Sequence, residues 1–144
     1  MGRVVIGMDP HKRSATIEVL DERETVLATG RFGTDRGGYR DLLAAGRQWP
    51  HRVWAVEGCE GVGRHLAQRL VADGELVVDV PAKLSARARV FSTGQGRKTD
   101  ATDAHSVAVV ALRTPDLRTV QVDDAIVALR LLATDVTSSA QPGR

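Results

Sequence analysis

The sequence predicts an α/β fold: a mixed sheet, made of a three-stranded antiparallel meander plus two further strands, with flanking helices. Three observations carry this expectation. An apolar β-branched run opens the chain, two alternating runs follow it across a short polar turn, and from there segments of helical and strand periodicity take turns.

The opening run, RVVIGMDPHK, ends in Asp9 and is stopped by Pro10, the pattern of a central strand buried on both faces. SATIEVLDERETVLATGRF then supplies two strands, alternating at Ile17, Val19 and at Val26, Ala28 around a polar turn at residues 21–24. TDRGGYRDLLAAGRQWP reads as a helix centred on residues 39–45, entered at Thr34 or Asp35 and left through Gly46 and Pro50. RVWAVEG is a fourth strand ending at Glu57. GVGRHLAQRLVADG sets Leu66, Leu70 and Val71 at helical spacing and closes on Gly74, and ELVVDVP is the fifth strand. Past Pro81, AKLSARARVFSTGQGRK reads as a weak helix running into a flexible, Gly-containing connector. A helix over residues 100–113 follows, with Thr99 as N-cap and Pro115 beyond its end. DDAIVALRLLATD is a last candidate helix, and VTSSAQPGR has the composition of an unfolded tail. Three strands, helix, strand, helix, strand is the order of ribonuclease H-like domains, and many α/β folds share it. The expected division is a ribonuclease H-like domain over 1–114, the start of a helical connector over 115–134 and a disordered tail over 135–144.

A chain of 144 residues with 42% hydrophobic and 26% charged side chains is one ordinary globular domain. The lone Cys59 excludes an internal disulfide and argues against a structural zinc site, and the histidines show no metal-ligand spacing. No apolar run nears the roughly 20 residues of a membrane span, so a cytoplasmic location without membrane contact is expected. The net charge is only +2, but the basic residues are unevenly placed. His11, Lys12 and Arg13 follow the first strand, while Lys83, Arg87, Arg89, Arg97 and Lys98 crowd the approach to the helix at 100. Together they read as a basic rim that would hold nucleic acid, against the plainer reading of a solvated surface.

Projected at 3.6 residues per turn, Asp100, Asp103, Ala104, Val107, Ala108 and Ala111 fall on one helical stripe. Two carboxylates therefore lie on the core-facing side, where an uncompensated charge costs several kcal/mol or shifts its pKa. First-turn capping is the plainer account and fits Asp100 better than Asp103. Asp9 could bond turn amides before Pro10, and Glu57 could cap the next helix. If the first and fourth strands are neighbours, however, Asp9 and Glu57 converge, and the helix brings four carboxylates around one cavity. Such a set needs a compensating cation. Mg²⁺ or Mn²⁺ prefers oxygen ligands and can serve phosphodiester chemistry in pairs.

GMDPHK, AVEGCEG and GRKTDATDAH, in this order and spacing, resemble the three acidic motifs of the DEDD transposases of the insertion-sequence one-ten family. The resemblance covers residues 3 to about 132 and is most specific at 98–104. It implies an N-terminal Holliday-junction-resolvase-like nuclease domain with Asp9, Glu57, Asp100 and Asp103 as its acids in that order. Glu60 is a poorer substitute for Glu57, because it lies past the strand end where the family usually carries glycine. The resemblance also implies element-end and target DNA, a structured guide RNA, Mg²⁺ and a homo-oligomer as partners. Family members continue into a long helical region and a second domain with a catalytic serine, which this sequence lacks. Ser138 and Ser139 stand in the polar tail and are not assigned that role. Codons permitted for TDVTSSAQPGR can spell, in a displaced frame, the Arg-Arg-Asp-Glu-Leu with which relatives continue. The chain is thus expected to be a truncated, frameshifted remnant, inactive alone, a point its nucleotide sequence tests.

Two other functions compete. Sugar kinases and actin-like ATPases share the three-stranded opening, but they bind ATP between two such domains and carry a second phosphate loop. A non-catalytic nucleic-acid-binding protein, or a defective subunit of an intact transposase, is the other. Gly58, Gly61 and Gly63 are too irregularly spaced for a dinucleotide loop and read as a tight turn. His105 projects away from the acidic stripe and is expected at the surface, and Trp49 and Trp54 are expected to pack against helices.

Overall fold

The computed structural model describes residues 2–93 and 100–122, with the side chains of all of these except 89–93 and 100–102. Strands β1 (Val4–Pro10), β2 (Ser14–Leu20) and β3 (Val26–Gly33) form the expected antiparallel meander. Helix α1 (Arg36–Arg47) leads to β4 (Arg52–Glu57), α2 (Arg64–Ala72) to β5 (Val77–Val80), and α3 (Ala82–Thr93) and α4 (Asp100–Arg113) follow. The sheet order is β3-β2-β1-β4-β5, with β4 parallel to β1 and β5 parallel to β4. Every residue of β1 is buried, as its unbroken apolar run requires.

Alternation along β1 splits the core into two layers. Val4, Ile6 and Met8 pack with Leu42 of α1 and Leu66 and Leu70 of α2. Val5 lies on the other face with Ala55, Val80 and the α4 residues Val107 and Ala108. The α1 entry is Asp35, whose carboxylate accepts from the Gly38 amide at 2.8 Å. Trp54 is fully buried in the first layer. A Cβ at Gly46 would stand 2.2 Å from its ring, so glycine is what lets α1 approach β4.

On the second layer the contact is closer still. A Cβ built on Gly7 would lie 2.3 Å from the carbonyl oxygen of Ala104 and 2.8 Å from the amide nitrogen of Ala108. The α4 backbone therefore rests directly on β1. Ala104, Val107 and Ala108 are fully buried, as the helical stripe predicts.

In the described part of the segment assigned to a helical connector, a turn at Pro115 and Asp116 leads into an extended run along β5. The Asp79 amide donates to the Arg118 carbonyl at 2.8 Å and the Val120 amide to the Val77 carbonyl at 2.9 Å, which covers the outer edge of β5. Thr119, Val120 and Gln121 alternate with period two, and Val120 is the buried member. The rest of that segment, the tail at 135–144 and the Thr99 cap lie outside the described residues.

Glu75 ties the first layer together. Its carboxylate accepts from Arg52 Nε at 2.7 Å and Nη2 at 2.8 Å, from Trp54 Nε1 at 2.8 Å and from Arg47 Nε at 3.2 Å. The Arg52 hydrogen bonds, aided by Trp54 and Arg47 and only partly opposed by burial, hold its pKa down at about 2. Glu75→Ala is expected to cost on the order of 3 kcal/mol, because it strands buried donors. A carboxylate with a depressed folded pKa contributes stability that is lost on acidification. The difference between wild type and variant in urea denaturation should therefore be full above pH 4.5 and shrink as pH falls toward 2.

Candidate active site

Asp9 and Glu57 stand at the ends of adjacent parallel strands. The β1–β4 register pairs Gly7 with Ala55 and Met8 with Val56, and Glu57 is matched on its far side by Val80. Two-residue alternation puts Asp9 on the same face as Val5 and Gly7, and Glu57 on the same face as Ala55, which is the face α4 covers. Asp103 immediately precedes Ala104, the residue whose carbonyl sits on Gly7.

The charges of Asp103 and Glu57 reach Asp9. Asp9 is only 8% exposed, and its pKa is pushed up to about 6. Burial is the largest cause, His11 opposes it, and the charges of Asp103 and Glu57 raise it further. His11 Nε2 lies 2.9 Å from Asp9 Oδ2. Glu57 Oε2 and Asp103 Oδ1 are shielded from solvent. Asp100 opens α4, but its side chain is outside the described residues. The plainer roles are not the ones seen: the Asp9 carboxylate bonds the His11 ring, and α2 is entered through Gly63 with no side-chain cap.

Among the described residues, no three His, Cys, Asp or Glu side chains close into a ready-made metal cage. Apart from the His11 ring, which is hydrogen-bonded to Asp9, the ligating groups on this face are carboxylates, which suit Mg²⁺ or Mn²⁺ better than softer ions. Glu60 is 77% exposed at its side chain and pairs with Arg118 at 2.9 Å, away from this cluster. The Cys59 thiol is pushed up to about 12, chiefly by burial, and is chemically quiet.

His105 is partly exposed, 35% at its side chain, and it also makes a contact that the sequence does not show. Its ring nitrogen Nδ1 lies 2.5 Å from Oε1 of Glu18, a buried carboxylate on β2. The helical projection places it correctly off the acidic stripe, but β2 lies beneath that side of α4.

Lys12 and Arg13 are exposed on the β1–β2 turn beside Asp9. Thr34 braces that turn, its hydroxyl donating to the Lys12 carbonyl at 3.3 Å and its amide to the Arg13 carbonyl at 3.1 Å. Lys83 and Arg87 are exposed on α3, which begins just after Val80, the residue matched with Glu57. The Arg89 side chain and all of Arg97 and Lys98 lie outside the described residues. Arg31 is a residue that sequence reading misses. The registers Asp9↔Thr16 and Thr16↔Arg31 place it on the face and row of Asp9, two strands away, and strand alternation is the signal that could have found it.

A mixed five-stranded sheet with helices on both faces, the last of them crossing its central strand, is a resolvase-like fold. Two solved structures share it. Thermus thermophilus RuvC in complex with a Holliday-junction substrate matches with a TM-score of 0.61 at 17% identity, over 82% of this chain and 99% of that one. Another Thermus thermophilus RuvC structure matches with a TM-score of 0.57 at 16% identity, over 81% and 99%. None of the curated proteins matches the sequence. The model of the IS110-type DEDD transposases, described as Transposase, matches residues 6–141, and the chain belongs to that family.

A carboxyl whose folded pKa exceeds its unfolded value stabilises the fold while protonated, and that contribution is lost as pH rises through about 6. In chelator-treated buffer Asp9→Asn should therefore melt above wild type at about pH 7.5, with a gain of up to roughly 3 kcal/mol. The two melting curves should converge near pH 4.

Proposed function

We propose that this chain is the nuclease-like domain of a DNA transposase and acts on DNA phosphodiesters through acid-held Mg²⁺ or Mn²⁺. The observation that supports the reading is that Asp9 and Glu57 end adjacent strands on the face α4 covers, where burial and the charges of Asp103 and Glu57 raise the Asp9 pKa to about 6. Asp9, Glu57, Asp100 and Asp103 would hold the cation. When bound, a hard divalent ion supplies Lewis-acid stabilisation of charge developing on phosphodiester oxygens. The remaining work falls to the chain. His11 orients the Asp9 carboxylate through its hydrogen bond, and β1, β4 and α4 fix the acids on rigid elements.

Lys12, Lys83, Arg87, Arg89, Arg97 and Lys98, joined by Arg31, would contact phosphates and set the register of the strand without reading its sequence. Element-end and target DNA are the substrates in this reading. A guide RNA and a homo-oligomer are the further partners that membership of the family supports.

Mn²⁺ titration of the purified chain, followed by calorimetry, tests the site. Wild type should show saturable binding that Asp9→Ala and Asp103→Ala abolish, and equal behaviour of all three proteins would count decisively against it. For the basic rim, Lys12→Gln and Arg87→Gln should each weaken duplex binding across all sequences. Each should also reduce the slope of log affinity against log salt by about one.

A further inference from the structure

We propose that Glu18, acting through His105, is a positioning residue that sets Asp103 against Asp9 and Glu57. The inference rests on the cation-site reading above and names what holds that site in shape.

Glu18 is a carboxylate in the middle of a sheet face, with its side chain only 7% exposed. A charge placed there is costly without a partner, and its partner comes from α4. The β1–β2 register pairs Glu18 directly with Gly7, the residue on which the α4 backbone rests. Asp103 and His105 flank Ala104, about 200° apart around the helix axis at 100° per residue. One therefore reaches toward the acids of β1 and β4, and the other reaches down to β2. The contact at Gly7 fixes the height of the helix over the sheet but leaves it able to roll. Repulsion among Asp9, Glu57 and Asp103 favours a roll that carries Asp103 outward. The Glu18–His105 hydrogen bond, on the opposite side of the same contact point, resists it.

A second anchor gives an internal control. Arg113 at the end of α4 donates to both carboxylate oxygens of Glu24 at 2.7 Å. This pair also ties α4 to the β2–β3 hairpin, but it is exposed and its Arg113 end lies about 12 Å farther along the helix; Glu24 feels the charge of His105 without hydrogen-bonding to it. Loosening the helix there should leave Asp103 in place.

The test is Mn²⁺ affinity of the full chain, measured beside the thermal midpoint. Glu18→Ala and His105→Ala should each weaken Mn²⁺ binding about 10- to 100-fold, the range for residues that orient metal ligands through another group. The double variant should be no weaker than either single one, because both remove the same hydrogen bond. Glu18→Gln keeps an acceptor for His105 and should recover most of the affinity. Glu24→Ala should lower the midpoint and leave affinity unchanged. Folded Glu18→Ala protein with wild-type affinity overturns the inference, as does Glu18→Gln binding no better than Glu18→Ala, or Glu24→Ala binding as weakly. If Glu18→Ala does not fold, His105→Ala, on the half-exposed partner, reads the same coupling. Wild type that binds no Mn²⁺ defeats the cation-site reading itself and this inference with it, a result distinct from intact binding in every variant.

Discussion

The backbone contact between Gly7 and α4 is the constraint on which this molecule depends. Sheet and helix layers normally keep side chains between them. Here β1 offers no Cβ, and α4 offers only alanines at Ala104 and Ala108, so the two backbones meet. A helix set that low brings short side chains to strand level. Asp103 then falls within electrostatic reach of strand-borne acids, and His105, on the other flank, can reach a carboxylate that would otherwise be buried alone. Any side chain at position 7 would lift the helix and separate both pairs. A glycine in the centre of a strand is ordinarily a weakening choice, and here it is what makes the site compact.

Two buried carboxylates of this chain show how surroundings set the state of a buried acid. Glu75 faces two guanidinium groups and an indole N–H, and its pKa is held down at about 2. Asp9 faces Asp103 and Glu57 with His11 as its counterweight, and its pKa is pushed up to about 6. Both are similarly buried, so burial alone does not separate them. The neighbours do. Glu75 is already satisfied and locks α1 to β4, whereas the Asp9 cluster is held together against its own repulsion by the rigidity of β1, β4 and α4. An arrangement of the second kind costs stability without a cation and gains it with one.

Much of this is legible in the sequence, and the reason is periodicity. The unbroken run at β1, the alternation of β2 and β3 and the 3.6-residue stripe of α4 each encode burial directly, and the strand order of a ribonuclease H-like sheet is what adds that Asp9, Glu57 and Asp103 share one face. What the pattern hides has a different cause. In SATIEVL, Glu18 reads as the polar partner of an alternating strand with one wet face, yet β2 is covered on both sides because α4 spans it. His105, projected on its own helix, leaves the acidic stripe, and no single-element projection reveals what the neighbouring strand presents. Arg31 and the extended run at Arg118–Gln121 are of the same kind, since cross-strand register gives them their meaning.

The acids near the strand ends sort by face. Along β5, Asp79 alternates with Val80, so it points to the α2 side while Val80 stays with the α4 layer. There Asp79 and Glu60 share Arg118, at 3.0 and 2.9 Å, and Asp79 also receives the Cys59 amide at 3.4 Å. Arg118 reaches them because the segment after α4 returns along the β5 edge. The same end of the sheet thus carries an acidic group neutralised by arginine on one side, and on the other a cluster in which Asp103 and Glu57 raise the proton affinity of Asp9. In the cation-site reading, an ion approaching this end would meet the stronger attraction on the α4 face, and the segment that leaves α4 would help direct it there.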